Sequence, residues 1–311
     1  MRLRGSAIRI ASAVSVSAAV VLLADPVSAG ATRAEVGQCG AWEASQVAAG
    51  YGMLESVAFD GRGGMLLSEQ AATGSGGGIQ RLEHSGARST VVSGVDGAGK
   101  IMVSGDVAYY TTGLSLQAKL SGQTGSIQAI DLDSGQVSTV AAGLQMPNGL
   151  AQLPDGDFVV SSDLGIDTRV IRVHDGASVG PFSSKATSTN GIAYDPARRR
   201  LYVATTFTPA TTIAIFDIDK PDNPSLIELP GPGPLNAADG LTIGPDGDVY
   251  LAYSIGGKVL RVDPDNGGWC TIAENLPLTT GVHFGDGAGW DSDSLYAVSY
   301  LGTVTRLSPT R

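Results

Sequence analysis

The sequence predicts an all-β fold, a six-bladed β-propeller with four-stranded antiparallel blades and a metal site on its central axis. A strand start of similar sequence recurs along the chain, and its spacing of roughly 45 residues is typical of propellers with several strands in each unit. The 43 glycines, spread along 311 residues, suit short strands and tight turns. Helical periodicity does not compete over comparable lengths.

The recurring start places one amide or carboxylate before a glycine and an apolar residue. Asn148, Asn190 and Asp239 occupy this position, and Glu55 opens an earlier, shorter version. These four residues are 93, 42 and 49 residues apart, so the first gap is close to two of the others. A related start at Thr280 marks unit six. The spacing therefore predicts about six units in the chain.

The fifth unit shows its strands most directly. Apolar runs separated by turn residues predict three strands and, from a further run, a fourth: 241–243, 249–251, 259–262 and 270–272. Pro245-Asp246-Gly247 favours a tight reversal, and Gly256-Gly257 suits a hairpin. The second unit, over residues 100–112, has no ligand-type residue at its start, and we expect it to contribute shape only.

The N-terminal residues have the pattern of a secretory signal peptide. Basic residues precede an apolar stretch, Ile10 to Ala24, that is too short for a membrane span, and Val27-Ser28-Ala29 fits a small-x-small cleavage site. We therefore expect a secreted or extracytoplasmic protein, with an uncleaved anchor as the alternative. The predicted division is a signal peptide over 1–29, an N-terminal segment over 30–49 that is a candidate for closing the ring, and the propeller over 50–311.

Removal of the signal peptide leaves a strongly acidic chain. The remaining 17 Lys plus Arg stand against 29 Asp plus Glu, a net charge near -12. This charge argues against nucleic acid and anionic membranes as partners and favours cations. We expect a monomer whose partner is a small-molecule substrate, with no nucleic acid and no membrane after signal removal.

The chain has two cysteines, Cys39 and Cys270. In an exported protein the simplest arrangement is a disulfide, which would tie the N-terminal segment to a late element. Two free buried thiols are the alternative.

Equivalent residues on the innermost strands of a propeller converge on its axis. Two carboxylates and two amides there would form an oxygen-only site, which selects Ca²⁺ first, with Mg²⁺, Mn²⁺ or Zn²⁺ as alternatives. The competing interpretation is that the Asn-Gly and Asp-Gly pairs only make turns. Four such residues in phase favour the cation.

At these residues the chain resembles the SMP-30, gluconolactonase and luciferin-regenerating-enzyme family of six-bladed propellers. The most similar stretch is 238–264, which begins Ala-Asp-Gly-Leu-Thr-Ile-Gly-Pro-Asp-Gly-Asp-Val-Tyr-Leu. Ser-Thr-Asn-Gly-Ile, Met-Pro-Asn-Gly-Leu and Leu-Glu-Ser-Val-Ala-Phe-Asp are similar to the family's other ligand segments. The resemblance covers roughly residues 50–308 and is loose over 71–144.

The resemblance implies a divalent cation held by Glu55, Asn148, Asn190 and Asp239. Known members hydrolyse lactones, and a related branch cleaves phosphotriester-like substrates at a calcium ion. A cation with open positions polarises a carbonyl or phosphoryl oxygen and acidifies a water. Glu55 and Asp239 are accordingly candidates for catalysis as well as for metal binding.

Two departures bear on the substrate. Sugar-lactone members commonly have an Arg two residues before the blade-three Asn, and here that position is Met146. A less polar ring or ester is therefore expected, with Met146 and Asn148 as substrate-binding residues. The phosphotriesterase branch commonly has an Asp after that Asn, and here Gly149 follows.

His283, in Gly-Val-His-Phe, is the third catalytic candidate. The segment is similar to the one that carries an active-site His in the phosphotriesterase branch, and an imidazole there could orient substrate or relay a proton. A structural histidine is the alternative.

The leading hypothesis is an exported, metal-dependent lactonase or esterase. A non-catalytic propeller that binds a ligand or a protein partner, with a structural cation, is the alternative, because a fold does not determine function. A condensing enzyme similar to strictosidine synthase is disfavoured because residues 279–286 contain no Glu.

Overall fold

The computed structural model describes residues 39–71 and 76–310. Over these residues the chain forms 24 β-strands in six four-stranded antiparallel sheets. Two short helices, α1 (Leu116–Ser121) and α2 (Gly233–Asn236), lie in connections between strands. No helix in this part of the chain is long and apolar enough to cross a membrane. The predicted signal peptide, residues 1–29, lies outside the described residues.

The strands follow one another blade by blade. β1 (Trp42–Ala48) comes first in the chain and belongs to the last blade. Blades 1 to 3 are β2 (Met53–Phe59), β3 (Gly64–Gln70), β4 (Gly77–Glu83) and β5 (Arg88–Val95); β6 (Ile101–Ser104), β7 (Val107–Thr112), β8 (Gly125–Asp131) and β9 (Val137–Leu144); and β10 (Pro147–Gln152), β11 (Phe158–Ser162), β12 (Ile171–His174) and β13 (Ala177–Pro181).

Blades 4 and 5 repeat this order, and blade 6 ends with β1. They are β14 (Thr189–Asp195), β15 (Arg200–Thr205), β16 (Ala210–Asp217) and β17 (Ser225–Pro232); β18 (Ala238–Ile243), β19 (Val249–Tyr253), β20 (Lys258–Val262) and β21 (Trp269–Glu274); and β22 (Thr279–Phe284), β23 (Leu295–Ser299), β24 (Val304–Pro309) and β1. The fourth strand predicted for unit five is β21.

The first strand of each blade lies innermost, and these strands form a closed ring. β2, β6, β10, β14, β18 and β22 each contact the next, and β22 contacts β2. The ring confirms the predicted six-bladed propeller with four-stranded blades. We call the face where the innermost strands begin the upper face, and the face where they end the lower face.

The core is divided among the blade interfaces. Six clusters of buried apolar side chains occur among the described residues, one between each pair of neighbouring blades. Tyr202 and Leu251, both fully buried, belong to the cluster between blades 4 and 5. Alternate side chains of a strand point to opposite faces of its blade, so each blade contributes to two clusters. Packing between blades therefore fixes the ring that positions the axial residues.

The N-terminal segment closes the ring. β1 pairs antiparallel with β24, for example Ala44 with Leu307. The predicted disulfide is present: Cys39, before β1, is bonded to Cys270 in β21, across a sequence separation of 231 residues. The strand that completes blade 6 is therefore covalently tied to blade 5.

Candidate functional site

The predicted ligand residues lie in β-bulges of the innermost strands. The ladder register shifts at the positions of Glu55, Asn148, Asn190 and Asp239, and also at Thr280. A bulge re-aims a side chain within a strand. In blades 3 to 6 the residue two positions before this side chain has a positive φ: Met146 (40°), Ser188 (57°), Ala237 (47°) and Leu278 (57°). These Asn-Gly and Asp-Gly pairs therefore belong to strands and do not form turns.

In blades 3 to 5 the glycine after the predicted ligand residue is required by the neighbouring blade. A Cβ on Gly149 would lie 2.5 Å from the carbonyl oxygen of Asn190, and one on Gly191 would lie 2.2 Å from that of Asp239. A Cβ on Gly240 would similarly lie 2.5 Å from the carbonyl oxygen of Thr280. The backbone of one bulge thus packs against the next, which holds the axial side chains at one level.

Hydrogen bonds orient the two amides. The Asn148 Nδ2 donates to Asn190 Oδ1 at 2.7 Å, and Asn190 Nδ2 donates to Thr206 Oγ1 at 3.2 Å. The Thr206 hydroxyl donates in turn to the carbonyl oxygen of Ala238 at 2.8 Å. The Oδ1 of Asn190 is thereby directed toward Asn148, and it keeps a second lone pair that can accept another bond.

The two carboxylates are almost completely buried. Glu55 is 4% exposed and Asp239 is 9% exposed. The Tyr300 hydroxyl donates to Glu55 Oε2. Burial raises the pKa of Glu55 to about 8, opposed by the hydrogen bond from Tyr300, and burial together with the charge of Glu55 raises the pKa of Asp239. The pair is costly to keep ionised without a cation.

A chamber of about 10 Å³ lies among these side chains. Its lining includes Glu55, Asn148, Asp239, Lys100 and Thr280. This volume suits about one water-sized body. Among the described residues, no three His, Cys, Asp or Glu side chains come together to hold a metal ion. The donor set consists instead of two carboxylates and two amides, which fits a hard cation such as Ca²⁺.

Lys100 also reaches this chamber, so the expectation that unit two contributes shape only is wrong. The charges of Glu55 and Asp239 both act on its ammonium group, and burial lowers the pKa of Lys100 to about 8. No carboxylate among the described residues lies within 4.0 Å of its Nζ. The spacing could have identified it, because Lys100 comes 45 residues after Glu55 and 48 before Asn148.

Asp163 and Tyr300 are further site residues that the sequence analysis missed. Each directly follows the second strand of its blade, β11 or β23, at the upper face. The charge of Asp163 raises the pKa of Glu55 and of Asp239, and burial raises the pKa of Asp163 itself. Thr206 occupies the same position after β15. This shared position is the only sequence signal that relates them.

The predicted His283 does not line this chamber. It lies three residues beyond Thr280 on β22 and lines a cavity of about 540 Å³ toward the lower face, together with Lys100. Burial lowers the pKa of His283 to about 4, so the ring is neutral, and its Nδ1 donates to the carbonyl oxygen of Phe284 at 2.7 Å. Its Nε2 is therefore left as an acceptor.

Met146, the predicted substrate contact, is 5% exposed. Its carbonyl oxygen accepts a hydrogen bond from the backbone N–H of Asp163 at 3.1 Å. The residue therefore supports the segment that carries Asp163 at the upper face.

Comparison with known proteins identifies the second half of the chain. The family model for the SMP-30/gluconolactonase/LRE-like region matches residues 161–300. Residues 161–300 are an SMP-30/gluconolactonase/LRE-like region. The predicted resemblance is thereby confirmed, and it supports an enzyme of the lactonase or hydrolase kind. This SMP-30-like region contains Asn190, Asp239 and His283, whereas Glu55 and Asn148 precede it.

Solved structures share the fold of the whole described chain. A gluconolactonase from Xanthomonas campestris has a TM-score of 0.64 at 16% identity, covering 86% of this chain and 89% of that chain. A PQQ-bound aldose sugar dehydrogenase from Streptomyces coelicolor has a TM-score of 0.62 at 15% identity, with 88% and 99% covered.

A third similar structure adds another reaction. Virginiamycin B lyase from Staphylococcus aureus has a TM-score of 0.56 at 14% identity, covering 86% of this chain and 98% of that chain. At such identities the likeness shows the fold alone, and the three named activities differ. No curated protein matches the chain at a significant level. The residues of the candidate site must therefore decide the reaction.

Proposed function

We propose that the protein is an exported, metal-dependent hydrolase that opens a lactone or a related ester. The observation that carries the proposal is the buried cluster of Glu55, Asn148 and Asp239 around a chamber of about 10 Å³, with Asn190 hydrogen-bonded to Asn148. Carboxylate and amide oxygens are the ligands that a hard divalent cation such as Ca²⁺ prefers. The family match over residues 161–300 supports the lactonase kind of reaction. The pattern of residues 1–29 supports export.

The four donors would hold the cation, and when bound it would polarise the substrate carbonyl and acidify a water. The chain's own residues prepare this arrangement. Thr206 fixes the amide of Asn190, which in turn holds Asn148, and Tyr300 holds one oxygen of Glu55. Side chains locked in this way are oriented before the substrate arrives, which lowers the cost of the reacting geometry.

Asp163 is the carboxylate outside the donor set, and we assign it as the acceptor of the water proton. It directly follows β11 at the upper face, and its raised pKa suits a group that must take up a proton near neutral pH. His283 lines the cavity of about 540 Å³ toward the lower face, and we assign it no role in the hydrolysis.

Two variants test the proposal against a panel of lactones, aryl esters and phosphotriesters. We expect Asn190→Ala and Asp239→Ala to lose the bound metal, measured by elemental analysis, and to lose hydrolysis by a factor of 100 or more (~3 kcal/mol). Asp293→Asn, an exposed carboxylate of blade 6, is the control and should behave like the parent. If both site variants hydrolyse the panel as fast as the parent, the proposal fails.

Lys100 favours a second candidate, a non-catalytic propeller that binds a ligand. Its ammonium supplies a positive charge beside Glu55 and Asp239, so the cluster has an internal counter-ion. Chelation separates the two functions. Reversible loss of hydrolysis in a protein that stays folded supports the hydrolase, whereas melting without any prior activity supports the binding protein.

A further inference from the structure

The upper and lower faces differ sharply in their exposed side chains. Among the described residues, eight of the twelve exposed large apolar side chains lie in upper-face connections, and the other four lie on outermost strands. The eight are Leu116, Leu120, Leu164, Ile166, Leu235, Ile255, Leu278 and Leu301. The lower-face connections contain none of the twelve. Exposed apolar side chains gathered on one face indicate a binding surface.

The charges are distributed in the opposite way. Apart from Lys258–Glu274, the ion pairs of the described residues join side chains at or beside lower-face turns. Examples are Arg62–Asp106 at 2.6 Å and Arg199–Asp219 at 2.9 Å. The upper-face connections 206–209, 254–257 and 300–303 contain no charged residue. The connection 163–170 differs, because it contains Asp163, Asp167 and Arg169. Nearly all the ion pairs thus lie at the lower face, and three upper-face connections present no charge.

Four apolar side chains of the upper face share one position. Leu164, Phe207, Ile255 and Leu301 are each the second residue after the second strand of a blade. In three of these blades the residue before it belongs to the candidate site. Those three residues are Asp163, Thr206 and Tyr300. We call the four apolar residues the collar. Leu164, Ile255 and Leu301 are 36%, 63% and 57% exposed, respectively, and Phe207 is partly exposed.

We propose that the collar binds an aliphatic chain of the substrate, so that the preferred substrate is an alkyl-substituted lactone or an aliphatic ester. This inference rests on the proposed hydrolase and names its substrate class. Three collar residues directly follow Asp163, Thr206 and Tyr300, and Tyr300 is hydrogen-bonded to Glu55, which lines the chamber. A carbonyl placed at the chamber would therefore leave its alkyl substituent toward the collar. Aliphatic walls with few polar groups cannot satisfy the hydroxyls of a sugar.

The test is a series of γ-lactones whose alkyl chain grows from none to six carbons, with gluconolactone for comparison. We expect kcat/KM of the parent to rise about twofold for each methylene, since the collar removes roughly half of its surface from water. In Ile255→Ser with Leu301→Ser this gain should fall toward none, mainly through KM. Leu226→Ser, an equally exposed leucine on the outermost strand β17, is the matched control and should keep the parental gain.

A binding measurement separates this inference from the proposed reaction. Calorimetric titration with γ-lactams of the same chain lengths needs no turnover, and affinity should rise with chain length in the parent but not in the double variant. An equal affinity for all lactams, or faster turnover of gluconolactone than of the alkyl lactones, overturns the inference. It is also overturned if the double variant loses binding to phosphatidylcholine vesicles while its chain-length preference is unchanged, because the collar would then contact a lipid surface.

Discussion

Blade 2 differs from blades 3, 4 and 5 at the position that faces the axis. In blades 3 to 5 the first strand contains a bulge, and a short side chain, Asn148, Asn190 or Asp239, is re-aimed into the chamber. In blade 2 the ladder from Ile101 to Ser104 is regular, and Lys100 stands just before it. A long side chain reaches the chamber without a bulge, whereas short ones require it.

The comparison also concerns charge. When both carboxylates are ionised, the two carboxylates and two neutral amides carry a charge near -2, and the ammonium of Lys100 reduces this to about -1. Coulomb attraction between a cation and the site weakens accordingly. The axial cluster therefore takes its two carboxylates and two amides from blades 1, 3, 4 and 5, and its positive charge from blade 2.

A substitution that disrupts one bulge tests whether blades 3 to 5 depend on their bulges, and it has the largest expected effect on stability. Gly191→Ala places a Cβ 2.2 Å from the carbonyl oxygen of Asp239. We expect the free energy of unfolding to fall by about 2–3 kcal/mol because backbone atoms must move apart. Denaturant unfolding measures it. Gly40→Ala, whose Cβ would have nothing within 4 Å, is the matched control, and equal losses in the two variants would show that the bulges tolerate a side chain.

A pH series tests the charges of the axial cluster, and its expected effect on stability is smaller. The pKa of Glu55 is raised from 4.5 to about 8, and that of Asp239 is also raised. The folded state therefore holds more protons than the unfolded state between about pH 5 and 8, so the stability of the chelated protein should decrease as pH rises through this range. Added Ca²⁺ should reduce the decrease because it pairs with the carboxylates.

Thermal unfolding at pH 5 and pH 8, with chelator and with calcium, measures this decrease. In Glu55→Gln most of it should disappear, because the amide does not titrate. A stability of the chelated parent that is unchanged or higher at pH 8 would contradict the burial of two unpaired carboxylates.

The six-bladed fold could be predicted from the sequence because the repeat spacing and the turn glycines depend on local backbone geometry. The sequence also placed Asn148, Asn190 and Asp239 at one level, since the close approach of the neighbouring blade requires a Gly after each of them. Lys100 was missed although its spacing marks it, because only oxygen ligands were sought. Asp163 and Tyr300 follow strands without any shared residue type, so their approach to Glu55 depends on packing between distant blades.

His283 shows a different limit of the pattern. Its segment marks the start of blade 6, but the residue at the level of the ligands is Thr280. Three residues along a strand correspond to roughly 10 Å, which is enough to move a side chain from the chamber to the lower cavity. A repeat therefore places a strand more reliably than it places a given side chain along the axis.

Calcium titration of three proteins tests the central claim most directly. By calorimetry the parent should bind one ion, Asp239→Asn should bind it at least tenfold more weakly, and Lys100→Met should bind it about tenfold more tightly, because the repulsive ammonium is gone. Lys100→Arg keeps the charge and should match the parent. Equal affinities in Lys100→Met and the parent, or binding unaffected by Asp239→Asn, would contradict a cation site formed by the bulged blades and opposed by blade 2.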